Sequence, residues 1–249
     1  MKVSIITVCL NSRQTIAQTI ESVLNQTYKN IEYIVIDGKS TDGTVDVIES
    51  YAPLFGPRLK WISERDNGLY DAMNKGVSMS TGDIVGILNS DDLYYDNRVI
   101  EKVVSTFSST HCDVLYSDVE YFKEENGKYK IVRKWIAGSG NVRLGWIPCH
   151  LGVFVKREIY EKIGKYDTRY SIAADYDFLF RVFADNEFRI SYLNSYTVRM
   201  RNGGKSTGSM KNILKGNIEV YKSLKAKKVN LALVVLFIRI LRRLPHFFV

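Results

Sequence analysis

Gly86-Ile-Leu-Asn-Ser-Asp-Asp-Leu93 decides how the chain is read, because a short apolar run stops there on two adjacent carboxylates. Residues 84–88 are rich in β-branched and apolar types and too few for a helix, so they predict a buried strand. In an open α/β sheet, ligands bind beyond the carboxyl ends of the strands, which places Asp91 and Asp92 at the mouth of a site. Neighbouring carboxylates repel each other. The repulsion falls when a hard divalent cation such as Mg²⁺ or Mn²⁺ sits against them together with substrate phosphates. A solvated turn closing a strand is the alternative reading of Ser-Asp-Asp.

On the N-terminal side of this stretch, strand and helix alternate. Residues 2–9 predict a strand, and residues 12–26 a helix with Ile16, Ile20, Val23 and Leu24 at helical spacing and Asn11 or Ser12 placed to cap it. Residues 31–36 form a second strand that stops at Asp37-Gly-Lys-Ser-Thr-Asp-Gly-Thr44, a run of turn formers opening a helix over 45–51. Asp37 can accept hydrogen bonds from a ribose or a base; equally, it can form an Asx-turn or cap the helix. Residues 59–62 are a third strand, followed by Ser63-Glu-Arg-Asp-Asn-Gly-Leu-Tyr-Asp-Ala-Met-Asn-Lys-Gly76. Leu69, Ala72 and Met73 form the apolar side of a short helix there, leaving Asp66, Asn67, Asp71, Asn74 and Lys75 polar at a helix entry that favours anions such as phosphate. The pattern predicts an α/β fold with a mostly parallel sheet flanked by helices. The chain contains no GxGxxG and no GxxxxGK[ST], which argues against a dinucleotide oxidoreductase and a P-loop ATPase.

Beyond residue 110 the alternation fades. Residues 114–122 and 129–135 read as strands joined by a hairpin at Glu124-Glu-Asn-Gly127, and Gly138-Ser-Gly-Asn141 is a loop. Pro148-Cys-His150 precedes an apolar stretch over 151–155, and residues 157–163 predict a short helix ending at Gly164. His150 is either a satisfied structural histidine or a catalytic or metal-binding one. Residues 173–183 predict a helix with Tyr176, Leu179, Phe180 and Phe183 toward the core. That leaves Asp175 in the first turn, where a carboxylate either caps the helix or is available for chemistry.

The composition, 249 residues with 45% hydrophobic and 25% charged, suits one large domain or one domain with an appendage. Cys9, Cys112 and Cys149 have neither disulfide-framework nor zinc-site spacing, which fits a reducing, cytoplasmic compartment. The apolar run over 3–10 is short for a signal-peptide core and lacks a small-residue cleavage site after it, so it is read as the first strand. Charge is unevenly placed: residues 201–249 hold eleven Lys or Arg against one acid, Glu219, a balance of +10, so with a chain total of +8 the first 200 residues sum to −2. A basic tail on a nearly neutral body points to an anionic partner. With no nucleic-acid motif in the chain, the expectation is a membrane surface.

Within that tail, Lys222, Lys225, Lys227 and Lys228 precede an apolar run over 229–238 and then Arg239, Arg242 and Arg243. The run is too short to span about 30 Å of hydrocarbon, which needs roughly 20 residues. Together with Leu233, Leu236, Phe237, Ile240, Leu241, Leu244, Phe247 and Phe248 it suits an interfacial helix on the inner face of a cytoplasmic membrane. The alternative is a helix packed on the body of the protein or in a homodimer.

Taken together, Val3-Ser-Ile-Ile-Thr-Val8, Asn11, Asp37-Gly-Lys-Ser-Thr-Asp-Gly43, Glu64-Arg-Asp-Asn-Gly-Leu-Tyr-Asp-Ala-Met-Asn-Lys-Gly76 and Asn89-Ser-Asp-Asp92 closely resemble the nucleotide-sugar half of family 2 glycosyltransferases of the GT-A fold, of the bacterial-polysaccharide type. A weaker similarity continues through His150 and Ala174-Asp175-Tyr176-Asp177 to Gly203-Gly204-Lys205-Ser206. The resemblance implies a catalytic domain over 1–205, divided at residue 92 into nucleotide-sugar and acceptor halves, and a basic amphipathic helical tail over 206–249. It implies an inverting transferase that moves one sugar from a nucleoside diphosphate sugar to a glycan or lipid-linked acceptor. Thr7, Asn11, Asp37, Asp66, Asn67, Gly68, Lys75 and Asp91 would then meet the nucleotide. Asp91 and Asp92 would hold Mn²⁺ or Mg²⁺ on the diphosphate, Asp175 would be the general base, and His150 would lie near acceptor or diphosphate. In the family the base usually follows a Glu; here Ala174 precedes Asp175. The Gln-x-x-Arg-Trp-type motif and membrane helices of processive members are not seen in the sequence, which implies addition of a single sugar. Two rivals differ in what they would bind or release. A sugar-1-phosphate nucleotidyltransferase needs a Gly-rich basic loop after the first strand, where Leu10-Asn-Ser-Arg-Gln14 stands. A non-catalytic nucleotide-sugar-binding or membrane-docked scaffold would bind without turnover.

Overall fold

The computed structural model describes residues 1–125, 127–203 and 209–243. Strands Val3–Cys9 (β1), Ile31–Asp37 (β2), Leu59–Ser63 (β3) and Ile84–Ile87 (β4) pair in the order β3-β2-β1-β4, all parallel. Helices Ile16–Leu24 (α1), Thr44–Phe55 (α2) and Leu69–Met79 (α3) form the crossovers between them. Every residue of β1 and β2 is buried, as expected of parallel strands covered on both faces. Parallel pairing aligns the carboxyl ends of these strands, so Cys9 lies level with Asp37 and Asp37 with Ser63.

The second half makes the sheet mixed. It adds strands Leu93–Tyr94 (β5), Val114–Glu125 (β6), Lys128–Trp135 (β7), Val153–Lys156 (β8) and Ile190–Arg201 (β9), and helices Val99–Thr110 (α4), Arg157–Ile163 (α5) and Ala174–Ala184 (α6). β8 lies antiparallel between β4 and β6, β9 runs parallel to β6, and β5 closes the far edge antiparallel to β9. β7 branches off β6 as the expected hairpin, with Asn126 of its turn outside the described residues. β9 and α4 are elements that the sequence pattern does not predict. Gly86 is required where β8 crosses close to β4: a Cβ there would stand 2.7 Å from the Phe154 ring.

Neither expected cap serves α1. The helix begins after Thr15 with no side-chain cap, while Asn11 adopts φ 52° and its Oδ1 accepts from the Thr41 amide at 2.9 Å. Asn11 and Ser12 therefore tie the loop after β1 to neighbouring loops. At the other end of the sheet, the buried Glu32 accepts from Lys60 and Lys2 at 2.6 and 3.0 Å and from Ser4 Oγ at 2.7 Å. These donors hold its carboxyl well below the usual carboxylate range despite burial.

The expected boundary at 205/206, and Gly204-Lys205-Ser206 with it, lie outside the described residues, as do Leu244, Phe247 and Phe248. Past that gap, helix Met210–Ala226 (α7) buries Glu219, Val220, Ser223 and Leu224. Helix Ala232–Arg243 (α8) follows, burying Ala232 and Val235 and laying the Arg239 guanidinium 4.9 Å over the Tyr176 ring of α6. Among the described residues, no helix is long and apolar enough to cross a membrane.

Candidate functional site

The loops at the carboxyl ends of β1, β2 and β4 are cross-linked to one another. The Asn11 amide donates to Ser40 Oγ at 2.7 Å, the Ser12 and Ser90 hydroxyls are 2.9 Å apart, and Gly38 lies against the Asp66 carboxylate. Asp37, Asn11 and Asp66 thus lie in loops that touch one another. Asp37 itself is fully buried: it accepts from the Ser40 amide at 2.9 Å, from Ser63 Oγ at 2.6 Å and also from Ser40 Oγ. The Ser40 amide is three residues on, one further than in an Asx-turn, and the N-cap of α2 is Gly43, so Asp37 serves as neither the turn nor the cap. Thr7 stands apart from the nucleotide set. It is buried in β1 and its hydroxyl accepts from Tyr33 at 3.1 Å, so the side chain has a packing role.

At the entry to α3, Gly68 takes φ +114°, a conformation that L side chains rarely adopt, and the Asn67 amide donates to Asp71 at 2.9 Å. Lys75 is ion-paired at 2.7 Å with both Asp66 and Glu64, which raises the pKa of its ammonium. Asn74 turns away from this loop and clamps the backbone of Tyr166, donating to its carbonyl at 2.9 Å and accepting from its amide at 3.0 Å.

The two acids after β4 are not equivalent. Asp92 is 2% exposed; its Oδ1 accepts from the Arg201 amide of β9 at 2.8 Å and its Oδ2 from Asn89 Nδ2 at 3.0 Å. Asp91 is more open. Burial and then the neighbouring Asp91 push the Asp92 carboxyl well above its ordinary range; burial also raises Asp91, against the pull of the Arg201 guanidinium. Each Asp92 oxygen keeps a lone pair unused, and the guanidinium's pull does not offset burial at either acid. That donor set fits a divalent cation that completes its shell with phosphate oxygens and water. Among the described residues, no group of three or more His, Cys, Asp or Glu is clustered to hold a metal by itself.

Asp175 arrives from the other half of the chain. It sits partly exposed in the first turn of α6, where Ala173 is the N-cap, so Asp175 is not the cap. Tyr70 of α3 reaches it: the hydroxyl is 3.0 Å from Asp175 Oδ1 and 2.7 Å from the Ile172 carbonyl. Burial and the adjacent carboxylate keep that phenol protonated, and its one proton is shared between the Ile172 carbonyl and Asp175. The 3-10 turn His150–Gly152, with Cys149 ahead of it, lies within reach of the acids' fields. The buried Cys149 thiol is pushed up to about 12, by burial first and then by the fields of Asp92 and Asp175. Burial holds the His150 imidazole below its usual pKa, hence neutral at pH 7, although Asp175 opposes the shift. His150 Nδ1 has no hydrogen-bond partner among the described residues.

Two contacts that hold Asp175 in place have no local signal in the sequence. Tyr70 is one, and Glu219 of α7 is the other. The Glu219 carboxylate accepts from the amides of Ser171, Ile172 and Ala173 at 2.8–3.1 Å and from Ser171 Oγ at 2.9 Å. These donors include the free N–H groups ahead of α6, so the lone acid of the tail caps the helix that bears Asp175.

Asp177, two residues on, faces the opposite way. It is buried and accepts from Arg181 Nε at 3.0 Å, from Ser223 Oγ at 2.7 Å and from Lys227 Nζ. Asp177→Ala is expected to leave nucleotide affinity unchanged while lowering stability by about 1–3 kcal/mol, since Ser223 and Lys227 lose their buried acceptor; urea unfolding beside nucleotide titration reads both. A loss of affinity with stability intact would move the functional acid to Asp177. An open groove of about 910 Å³ beside Arg181 and Lys227 offers little for recognition, because Arg169, Arg181 and Lys227 are already paired with Asp167 and Asp177.

Known proteins resemble the chain in sequence and in fold. The chain is 32% identical over 197 residues to the "PGL/p-HBAD biosynthesis glycosyltransferase" of Mycobacterium bovis, covering 77% of this chain and 73% of that protein. It is 30% identical over 166 residues to the "Putative glycosyltransferase EpsE" of Bacillus subtilis, covering 66% and 60% of the two. Its fold superposes on S. aureus TarS 1–349 in complex with UDP-GlcNAc with TM-score 0.71 at 17% identity, covering 98% of this chain and 73% of that one. It also superposes on the mannosyltransferase PcManGT of Pyrobaculum calidifontis in complex with GDP-Man and Mn²⁺, with TM-score 0.69 at 17% identity, covering 95% and 69%. The family model described as "Glycosyl transferase family 2" matches residues 4–187, which hold β2 to β8 and Asp37, Asp66, Asp91, Asp92 and Asp175. With its GT-A-type sheet and curated relatives that are glycosyltransferases, the chain belongs to glycosyl transferase family 2 and is a glycosyltransferase.

Proposed function

We propose that the protein transfers one sugar, with inversion, from a nucleoside diphosphate sugar to a hydroxyl of a glycan or lipid-linked acceptor in surface polysaccharide or glycolipid assembly on the cytoplasmic side. The observation that carries this reading is the Tyr70–Asp175 contact at 3.0 Å, because it couples an accessible carboxylate from the acceptor half to the helix that borders the nucleotide loops. Asp175 takes the proton of the acceptor hydroxyl on the face opposite the leaving group, a step typically contributing about 10²–10⁴-fold. Tyr70, protonated and donating, fixes the carboxylate and leaves its other lone pairs for the substrate. Asp37, Asn11, Asp66, Asn67 and Gly68 border the nucleoside, with Lys75 beside the diphosphate once it exchanges a carboxylate partner for phosphate.

Asp92 and Asp91 would hold Mn²⁺ or Mg²⁺, which supplies positive charge to the departing diphosphate. The Arg201 amide and Asn89 keep Asp92 oriented for that role. His150, neutral and with Nδ1 unpartnered among the described residues, feels the field of Asp175 and would meet an acceptor or diphosphate oxygen. What supports the donor class is that similarly folded proteins were solved with UDP-GlcNAc and with GDP-Man and Mn²⁺. Incubation with Mn²⁺ and a panel of nucleoside diphosphate sugars tests the reading. Release of nucleoside diphosphate is the expected result. Release of pyrophosphate from a triphosphate would instead indicate a nucleotidyltransferase, and binding without turnover a scaffold.

A further inference from the structure

α8 packs Ala232 and Val235 against the protein and turns a second apolar face outward. Leu233, Val234, Phe237, Ile240 and Leu241 are 39–64% exposed, whereas Arg239 of the same helix is 7% exposed against the protein. A helix that merely packs needs one apolar stripe, facing the core, so the second stripe is left without a partner among the described residues. α7, adjacent to it, exposes Met210, Leu214 and Ile218 at 80%, 64% and 47%. Exposed Lys211, Lys215, Lys222 and Lys225 flank these residues on the same helix. The acid of this region, Glu219, is buried on the opposite side of α7, so no described carboxylate from residue 209 onward interrupts the surface.

We propose that the outer faces of α7 and α8 dock on an anionic lipid bilayer, α8 lying in the interface plane with its Leu/Phe face among the acyl chains and the α7 lysines on the headgroups. Charge selects this occupant. An isologous contact with a second copy would set lysine against lysine, whereas an anionic leaflet complements both the lysines and the apolar face. The surface also lies close to the chemistry: α7 presents one side to the bilayer, and from its other side Glu219 holds the segment that carries Asp175. With a helix about 10–12 Å across, the segment that Glu219 holds stands roughly one helix diameter from the headgroups, so the acceptor that Asp175 serves carries its hydroxyl near the membrane surface. This last step rests on the role proposed for Asp175; the docking itself does not.

Sedimentation with phosphatidylglycerol and with phosphatidylcholine vesicles at low salt separates the two claims. The full chain is expected to bind the anionic vesicles and ignore the neutral ones. Phe237→Asp with Leu241→Asp should weaken that binding roughly tenfold or more. Lys222→Gln with Lys225→Gln, which leaves the apolar face intact, should weaken it by a similar factor and carries the test if the first variant fails to fold. Release of nucleoside diphosphate in free solution should be the same for all three proteins, so its loss bears on the catalytic reading alone. Wild-type protein that ignores anionic vesicles, or folded variants that bind them undiminished, overturn the proposal. So does a dimer, seen by light scattering, that Phe237→Asp dissociates; that result gives the face to a second copy.

Discussion

Asp175→Asn is expected to retain donor binding and lose about 10²–10⁴-fold of sugar transfer, the usual contribution of a positioned general base. The amide is nearly isosteric and its oxygen still accepts the Tyr70 hydroxyl, so the fold and the α3–α6 contact survive. What is lost is the ability to take a proton. Nucleotide titration and transfer rates separate these effects, and a variant that transfers at the wild-type rate would remove Asp175 from the mechanism. Tyr70→Phe makes the comparison sharper. It keeps the carboxylate and removes only the donor, so it should fall between wild type and Asp175→Asn in kcat, with KM for the donor little changed.

Asp92→Asn is expected to weaken Mn²⁺-dependent nucleotide binding by about 100-fold or more, above the range seen when only an outer partner of a metal ligand is lost. Unfolding in the absence of metal should show little loss of stability, since the Arg201 amide still finds an oxygen and the repulsion with Asp91 is gone. Isothermal titration with and without Mn²⁺ reads the difference. Equal affinities for the two proteins in the presence of Mn²⁺ would take the cation away from Asp92. The same experiment on Asp91→Asn ranks the two acids, and the more open Asp91 is expected to cost less than the fixed Asp92.

Much of this site is legible in the chain because its parts are local. Strand ends are marked by β-branched runs breaking into Asp, Gly and Ser, and parallel pairing then brings those ends to one edge whatever the details. That is why the residue pattern alone groups Asp37, Asp66, Asp91 and Asp92. Inverted readings arise where a short-range rule competes with a long-range contact. Asn11 and Ser12 have the types of a helix cap, but Thr41 and Ser90 claim their side chains. Thr7 belongs to a motif that the resemblance sets beside the nucleotide, yet β1 is covered on both faces and the Thr7 hydroxyl meets Tyr33. β9 alternates apolar and polar residues but gives no clear strand signal, since Asn194 and Ser195 interrupt it and only its pairing with β6 and β5 makes it a strand.

Hydrophobic periodicity and turn chemistry act within a few residues, so the chain alone specifies the alternation of strands and helices, the acids at their ends and the amphipathic character of the tail. Which face of each helix meets which neighbour is settled by packing between distant segments. Asp175 and Asp177 are both acids in the first turn of one helix, and nothing nearby in the chain says that the first meets Tyr70, 105 residues away, while the second meets Ser223 and Lys227. In α8 the sequence shows which residues share a face. That Arg239 turns inward goes with the Tyr176 ring, which offers it a partner, while Leu233, Phe237 and Leu241 stay outside.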